Sequence, residues 1–177
     1  YGHGDIADRM ALVAGTSACH MISSKESIFV PGVWGPYDSA MVPGSFLLEG
    51  GQSAAGAVMD FLTDNIFPTD LEYGQLDQQL ELIKNRKKLS DVALLTADIH
   101  VDPDVNGNRS PLADPAKRAA VLGLSLNEPP DDRAALLYLA ACQALAYQTR
   151  HILEAVRRAG GPAVKELVVC GGLAATP

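Results

Sequence analysis

An α/β domain is predicted by three features of the chain. A short apolar run, Met10 to Ala14, ends at Gly15-Thr16-Ser17 and has the composition of a buried strand. A long helical stretch opens at Pro129-Pro130-Asp131 and closes at Gly160-Gly161. A second strand-like run, Lys165 to Cys170, then delivers Gly171-Gly172 at its carboxyl end. Three strands followed by helices alternating with single strands give an α/β layer structure.

The intervening elements follow in order. Residues 18–23 can return antiparallel to the first strand, and Ser27 to Val30 supplies a third strand before a Pro/Gly-rich loop over 31–44. Phe46 to Thr63 spaces Leu47, Leu48, Ala54, Ala55, Val58, Phe61 and Leu62 at a helical recurrence despite its glycines. Tyr73 to Lys88 reads as a second amphipathic helix, with Leu76, Leu80 and Ile83 on one stripe. The cations from Lys84 to Lys88 fall at its end, where they suit the helix dipole. Val92 to Thr96 predicts a strand, residues 102–116 a turn-rich loop, and Ala119 to Leu126 another strand. Asp131 is expected to cap the long helix running to Arg158. From Ala134 to Tyr147 that helix is apolar on nearly every side, so it should be buried.

Composition narrows the function classes. The 177 residues suffice for one domain, and 47% apolar content is ordinary for a globular protein. A net charge of −7 with scattered cations argues against a nucleic-acid partner. No stretch approaches the roughly 20 apolar residues that span a bilayer, and no charged-then-apolar leader is present; Tyr1 reads as the interior of a longer polypeptide. Cys19, Cys142 and Cys170 are an odd count in apolar or small-residue settings, which fits a reduced, cytoplasmic protein. Cys19 and His20 are adjacent on an expected strand and so face opposite ways, which rules against a metal–thiolate site.

Several short motifs carry chemistry. Gly15-Thr16-Ser17 puts a glycine and two hydroxyls in a tight turn, which is either a plain hairpin or a loop aiming amides and the Thr16 hydroxyl at phosphate oxygens. Glu49-Gly50-Gly51-Gln52, placed on the expected helix over 46–63, leads to Gly56 and Asp60, which are four residues apart and on one face. From the residues alone, close helix packing and close approach of a ligand explain Gly56 equally well. Gly171-Gly172 is not a dinucleotide fingerprint, because the G-x-G-x-x-G spacing is missing. In Asn106-Gly107-Asn108-Arg109-Ser110-Pro111, a loop by composition, Arg109 either pairs with a carboxylate and braces the turn, which is the expectation, or contacts a phosphate. His3, His100 and His151 are read as surface or terminal residues.

Taken in order, Gly15-Thr16-Ser17-Ala18-Cys19-His20-Met21, Asn106 to Pro111 and Cys170-Gly171-Gly172-Leu173-Ala174 resemble the C-terminal, nucleotide-binding half of FGGY-family carbohydrate kinases. Val30-Pro31-Gly32-Val33-Trp34-Gly35-Pro36-Tyr37 and Leu47 to Ser53 narrow the likeness to the ribulokinase-like branch. The resemblance covers essentially all of residues 1–177, as one C-terminal domain. It implies an actin-like ATPase (ribonuclease H-like) fold and ATP-dependent phosphorylation of a small polyol or ketose, a pentulose such as ribulose, with Mg2+.

By the same resemblance, Gly15, Thr16 and Ser17 meet the β- and γ-phosphates of ATP. Gly56 and Asp60 contact the nucleotide, Gly171 and Gly172 lie against the α-phosphate and ribose, Thr176 is near the adenine, and Cys19 turns toward the sugar. Asp60 stands where relatives commonly have Gln, and Thr176 where many have Asn. The family's catalytic base is an Asp upstream of the strand ending at Gly15. Asp5 and Asp8 lack that motif's neighbours, so no base is assigned. An N-terminal sugar-binding domain absent from the sequence is therefore the expected partner, and association with further copies of the chain is left open. Both ends of the fold are expected to be missing. The isolated chain should have no kinase activity and should bind ATP more weakly than about 1 mM. A reading from another class is a non-catalytic, nucleotide-binding regulatory module, since the actin-like fold also supports chaperones, filaments and sensors.

Overall fold

The computed structural model describes residues 5–174. Arg9–Ala14 (β1) and Ala18–Ser24 (β2) form a hairpin in which Met10 faces Ile22 and Ala14 faces Ala18. Trp34–Asp38 (β3) and Phe46–Gln52 (β4) extend the sheet antiparallel, β4 against β2 and β3 at the edge. Gly56–Phe61 (α1) runs into a single wide turn over Leu62–Ile66, and Tyr73–Lys87 (α2) follows. His100–Asp102 (β5) pairs with Ala120–Leu122 (β6) as a separate two-stranded ribbon. Pro130–Arg158 (α3) crosses the whole domain, and Glu166–Cys170 (β7) returns parallel to β1, giving the order β3-β4-β2-β1-β7.

The terminal signals of both long helices are chemical. At the start of α2 the Glu72 amide donates to Gln75 Oε1 at 2.8 Å, and Lys84, Arg86 and Lys87 occupy the last turn. In α3, Pro130 takes the first helical position, where its missing N–H leaves nothing unsatisfied. Asp131 is therefore inside the first turn, and Pro129 holds the cap position in its place. Arg157 and Arg158 end the helix before Gly160, whose φ of +87° stops it.

Four apolar clusters hold the layers, and α3 contributes to most of the core. Leu76, Leu80 and Ile83 of α2 pack on Ala134, Ala135 and Leu136. Full burial of each such side chain stabilises the fold by about 1.5–3 kcal/mol. Val58, Met59 and Leu62 meet Leu137 and Ala141, and Met10, Ile22 and Leu48 of the sheet meet Val156. Between them, Ala14, Ala18 and Ala55 form a small-residue cluster with Leu145 and Leu173.

Four expectations need correction. Residues 46–52 are a strand rather than the start of a helix, so Glu49 to Gln52 lie on β4. The third strand falls at 34–38 instead of Ser27 to Val30, inside the segment expected to be loop. Val92–Thr96 is a 3-10 turn, because the Asp91 carboxylate accepts from the Ala93 amide at 2.8 Å and starts helical winding. The strand expected over 119–126 shrinks to 120–122.

Candidate functional site

The three glycine segments converge at the carboxyl end of β1. Gly15, Thr16 and Ser17 form the β1–β2 turn, closed by a 2.9 Å bond from the Gly15 amide to the Ser17 carbonyl. The start of α1 docks on that turn: the Gly56 amide donates to Gly15 O at 2.9 Å, and the Ala55 amide to Thr16 O at 2.8 Å. A Cβ placed on Gly56 would lie 3.0 Å from Gly15 O and 3.8 Å from Leu173 Cδ2. Gly56 thus serves close approach, and its immediate neighbour is the turn itself. Gly171 adopts φ of +101° directly over β1, where any side chain would collide with Ala14 O. Gly172 has open space around its Cα.

This geometry uses the Gly15 and Thr16 carbonyls to dock α1 and the Gly15 amide to close the turn. The amides of Thr16 and Ser17 meet no acceptor among the described residues, and Thr16 is exposed. Amides without an acceptor, flanked by hydroxyls, suit an anion. Behind the turn lies an apolar cavity of about 290 Å³, walled by Leu12, Ala14, Ala55, Met59, Tyr138 and Leu173. Apolar walls penalise charge, so this cavity does not suit a phosphate group.

Asp60 is on the same helix face as Gly56, four residues on, but its carboxylate is engaged: it accepts from the Tyr73 hydroxyl. Burial, with the Asp60 carboxylate beside it, pushes the Tyr73 phenol up, so it remains a donor at neutral pH. Thr63, Asp64 and Glu72 border the same recess, which suits a hydroxyl or amino donor better than phosphate. Thr176 lies outside the described residues.

Cys19 faces the other side of the sheet. His20, one residue on, is wholly buried against α3, its Nε2 2.9 Å from Thr149 Oγ1. Since the Thr149 hydroxyl donates to Leu145 O at 3.0 Å, it accepts from His20, and Nδ1 is left without a partner. Burial holds His20 down at about 4, and hence neutral. No group of three or more His, Cys, Asp or Glu side chains able to hold a metal ion occurs among the described residues.

On the Cys19 face stand Glu49, Trp34 and Arg109. Burial, with the Glu49 carboxylate alongside, pushes the Cys19 thiol up, while Arg109 acts in the opposite sense. Glu49 is opposite Met21 on β2 and Trp34 on β3. Arg109 reaches the same face with its guanidinium 5.4 Å from the Trp34 ring centre.

The expected carboxylate partner of Arg109 is not there: among the described residues it makes no ion pair. The bracing falls to its neighbour. Asn108 exchanges 2.8 and 2.9 Å backbone bonds with Asp114, accepts from the Leu112 amide and donates to Asp104 at 2.9 Å. Buried Asp104 also accepts from Gln148 and from Lys117, each at 2.6 Å. Burial alone would raise the Asp104 carboxyl, but those three donors hold it below the ordinary carboxylate range. The roles of Tyr73, Leu173, Glu49 and Trp34 were not visible in the sequence. Alternation along a strand at 46–52 would have put Glu49 on one face with Gly51, but the apolar spacing there reads as helix.

Comparison with known proteins places this arrangement. Residues 10–177 match the family model described as the C-terminal domain of the FGGY family of carbohydrate kinases. An FGGY carbohydrate kinase domain-containing protein of Homo sapiens is 47% identical over 194 residues, an alignment taking 99% of this chain and 34% of the relative. A D-ribulokinase of Saccharomyces cerevisiae is 39% identical over 163 residues, covering 86% of this chain and 23% of its own. Among solved structures, the xylulose kinase of Rhodospirillum rubrum superposes with a TM-score of 0.73 at 20% identity, over 95% of this chain and 31% of that one. That likeness fixes the fold as the actin-like ATPase type. The chain spans about a third of the length of the first of these relatives.

Proposed function

The chain belongs to the FGGY family of carbohydrate kinases, and on that premise we propose that the protein containing it phosphorylates a sugar or polyol hydroxyl with ATP. The acceptor is a pentulose such as ribulose, this chain supplies the ATP-binding half, and an N-terminal domain supplies most of the sugar pocket. The observation that carries the reading is the convergence of Gly15-Thr16-Ser17, Gly56 and Gly171-Gly172 on one rim, where the Thr16 and Ser17 amides meet no acceptor among the described residues.

In this reading the Thr16 and Ser17 amides and the Thr16 hydroxyl hold the β- and γ-phosphates. The exposed backbone at Gly171 and Gly172 lies along the α-phosphate and ribose. The Asp60–Tyr73 pair accepts from and donates to the ribose or base. A sugar hydroxyl attacks the γ-phosphorus in line, the new O–P bond forms as the bridging O–P bond breaks, and ADP leaves. A carboxylate outside this chain takes the hydroxyl proton. The loop amides neutralise charge on the transferring oxygens. Mg2+ would supply further charge neutralisation, and no side chains of this chain are assigned to it. The free thiols Cys19, Cys142 and Cys170 support a cytoplasmic setting.

The test is a coupled assay on the full-length protein with ATP and a panel of pentuloses. ADP release that depends on one of them is expected. Binding of ATP without turnover of any sugar or polyol would favour the regulatory-module reading.

A further inference from the structure

The segment Asn106 to Pro111 carries a cation that the fold does not use as a brace. Asn108 and Asp104 do that work, as described above, and Arg109 is left half-buried with no carboxylate partner among the described residues. This happens in a chain with 21 acidic residues against 14 Lys and Arg. A guanidinium partly withdrawn from water gives up hydration, and the Trp34 ring 5.4 Å away returns part of it on one face without supplying a hydrogen-bond acceptor. Its position is also built in. The Arg109 stem occupies the space where a side chain on Gly51 would be, with Cγ 3.3 Å and Nη1 3.4 Å from the place of that Cβ.

The surroundings say what the cation faces. A recess of about 460 Å³ is bounded by Arg109, Trp34, Ser53, Asn106 and Gly107. Its Ser53 wall is tied to the Gly15–Ser17 turn along the chain: Ser53 follows Gln52, which pairs with Ala18, and two residues later the Ala55 amide is bonded to Thr16 O. Cys19 and Gly51, paired across β2 and β4, lie on the same face, and the Cys19 thiol senses both Arg109 and Glu49. The face thus offers one carboxylate, suited to hydroxyl donors, and one guanidinium stacked on Trp34 with no carboxylate partner among the described residues, suited to a phosphate in bidentate fashion.

We propose that Arg109 is the anion-binding wall of a subsite for the phosphoryl group of a sugar monophosphate, with Ser53 and Asn106 as neighbouring hydroxyl and amide donors. This rests on the kinase reading: as the phosphoryl group leaves the turn for the sugar oxygen, its charge moves toward Arg109. Arg109 donates hydrogen bonds and keeps its protons throughout.

Calorimetry on the full-length protein tests it, using ribulose phosphate, inorganic phosphate and unphosphorylated ribulose as separate probes. Arg109→Gln should weaken both phosphate-bearing probes by tenfold or more and leave ribulose within about threefold. Arg109→Lys should fall between, retaining the charge without the fork. Trp34→Leu, which keeps the cation but removes the ring beneath it, should lower phosphate affinity less than Arg109→Gln. Unchanged phosphate affinity in a folded Arg109→Gln protein overturns the subsite, as does an equal loss of ribulose. If Arg109→Gln fails to fold, wild-type phosphate affinity in Arg109→Lys, or Trp34→Leu weakening phosphate more than Arg109→Lys does, overturns it instead. Inorganic phosphate binding needs no turnover. An Arg109-dependent phosphate site in a protein inactive on every sugar would therefore sink the kinase reading and leave the subsite standing.

Discussion

Replacing Gly56 with alanine should move stability and activity in opposite directions. The new Cβ would stand 3.0 Å from Gly15 O, 3.6 Å from the Gly15 carbonyl carbon and 3.8 Å from Leu173 Cδ2. Carbon and oxygen prefer about 3.4–3.5 Å, so the turn must retreat by roughly 0.4 Å. The helix itself gains, since alanine at its start is favoured over glycine by at most about 1 kcal/mol. The turn that moves is the one proposed to hold the β- and γ-phosphates. If a misplacement of about 1 Å lowers the rate roughly 100-fold, a logarithmic share for 0.4 Å is about sixfold. Thermal unfolding and steady-state kinetics with ATP varied, both on the full-length protein, supply the two readouts. The midpoint should hold or rise while kcat/KM for ATP drops about sixfold and the sugar KM stays put. Unaltered ATP kinetics would show that the turn is not a phosphate loop. A falling midpoint would show that Gly56 is there for packing alone.

Three other perturbations have defined outcomes. Thr16→Val removes the hydroxyl proposed to hold phosphate and should lower kcat/KM for ATP tenfold or more, with sugar affinity little changed; identical ATP kinetics would return the loop to a plain hairpin. His20 is held at about 4, below the ordinary 6.5 of an unfolded histidine, so its contribution is complete above pH 6.5 and is lost as pH falls toward 4. That amounts to about 3 kcal/mol at most, to be read from urea unfolding at pH 7.5 and 4.5, and a His20→Asn variant with an undiminished pH slope would refute it. Asp104→Ala strands Asn108, Gln148 and Lys117 and should destabilise the fold by about 3 kcal/mol in denaturant titration; a change below about 1 kcal/mol would mean water replaces the carboxylate.

The sequence was most legible where one face alone is buried. The α2 stripe of Leu76, Leu80 and Ile83 carries its period openly, and the helix stands where that period puts it; the strand at Met10 to Ala14 was legible instead from a short, unbroken apolar run ending at glycine. Residues 46–52 were misread for a physical reason. β4 is an inner strand, with α3 on one side and the Arg109 loop on the other, so Leu47 and Leu48 are both buried and alternation disappears. Two glycines then remove the remaining side-chain signal. Val92 to Thr96 has strand-like composition, but Asp91 is a local cap whose effect outweighs it. At the site, the glycine motifs could be found because glycine marks backbone geometry in the sequence itself. The partner of Arg109 could not, because ion pairing depends on which of several nearby acids the loop presents, and Asn108 had already taken Asp104.

The paired glycines of β4 give the sheet a thin place. Gly50 leaves room on one side for Ile152 of α3, whose Cγ2 lies 2.6 Å from where a Gly50 Cβ would be, and Gly51 leaves room on the other for Arg109. Only a strand of bare backbone separates the two, where elsewhere a layer of side chains would absorb strain. A small slide of α3 past the sheet therefore has nothing to dissipate into before it reaches the guanidinium. The long helix and the Arg109 recess thus bear on opposite faces of the same two residues of β4. A substitution at Ile152 is therefore expected to alter phosphate affinity at the subsite proposed for Arg109, read by the same calorimetry.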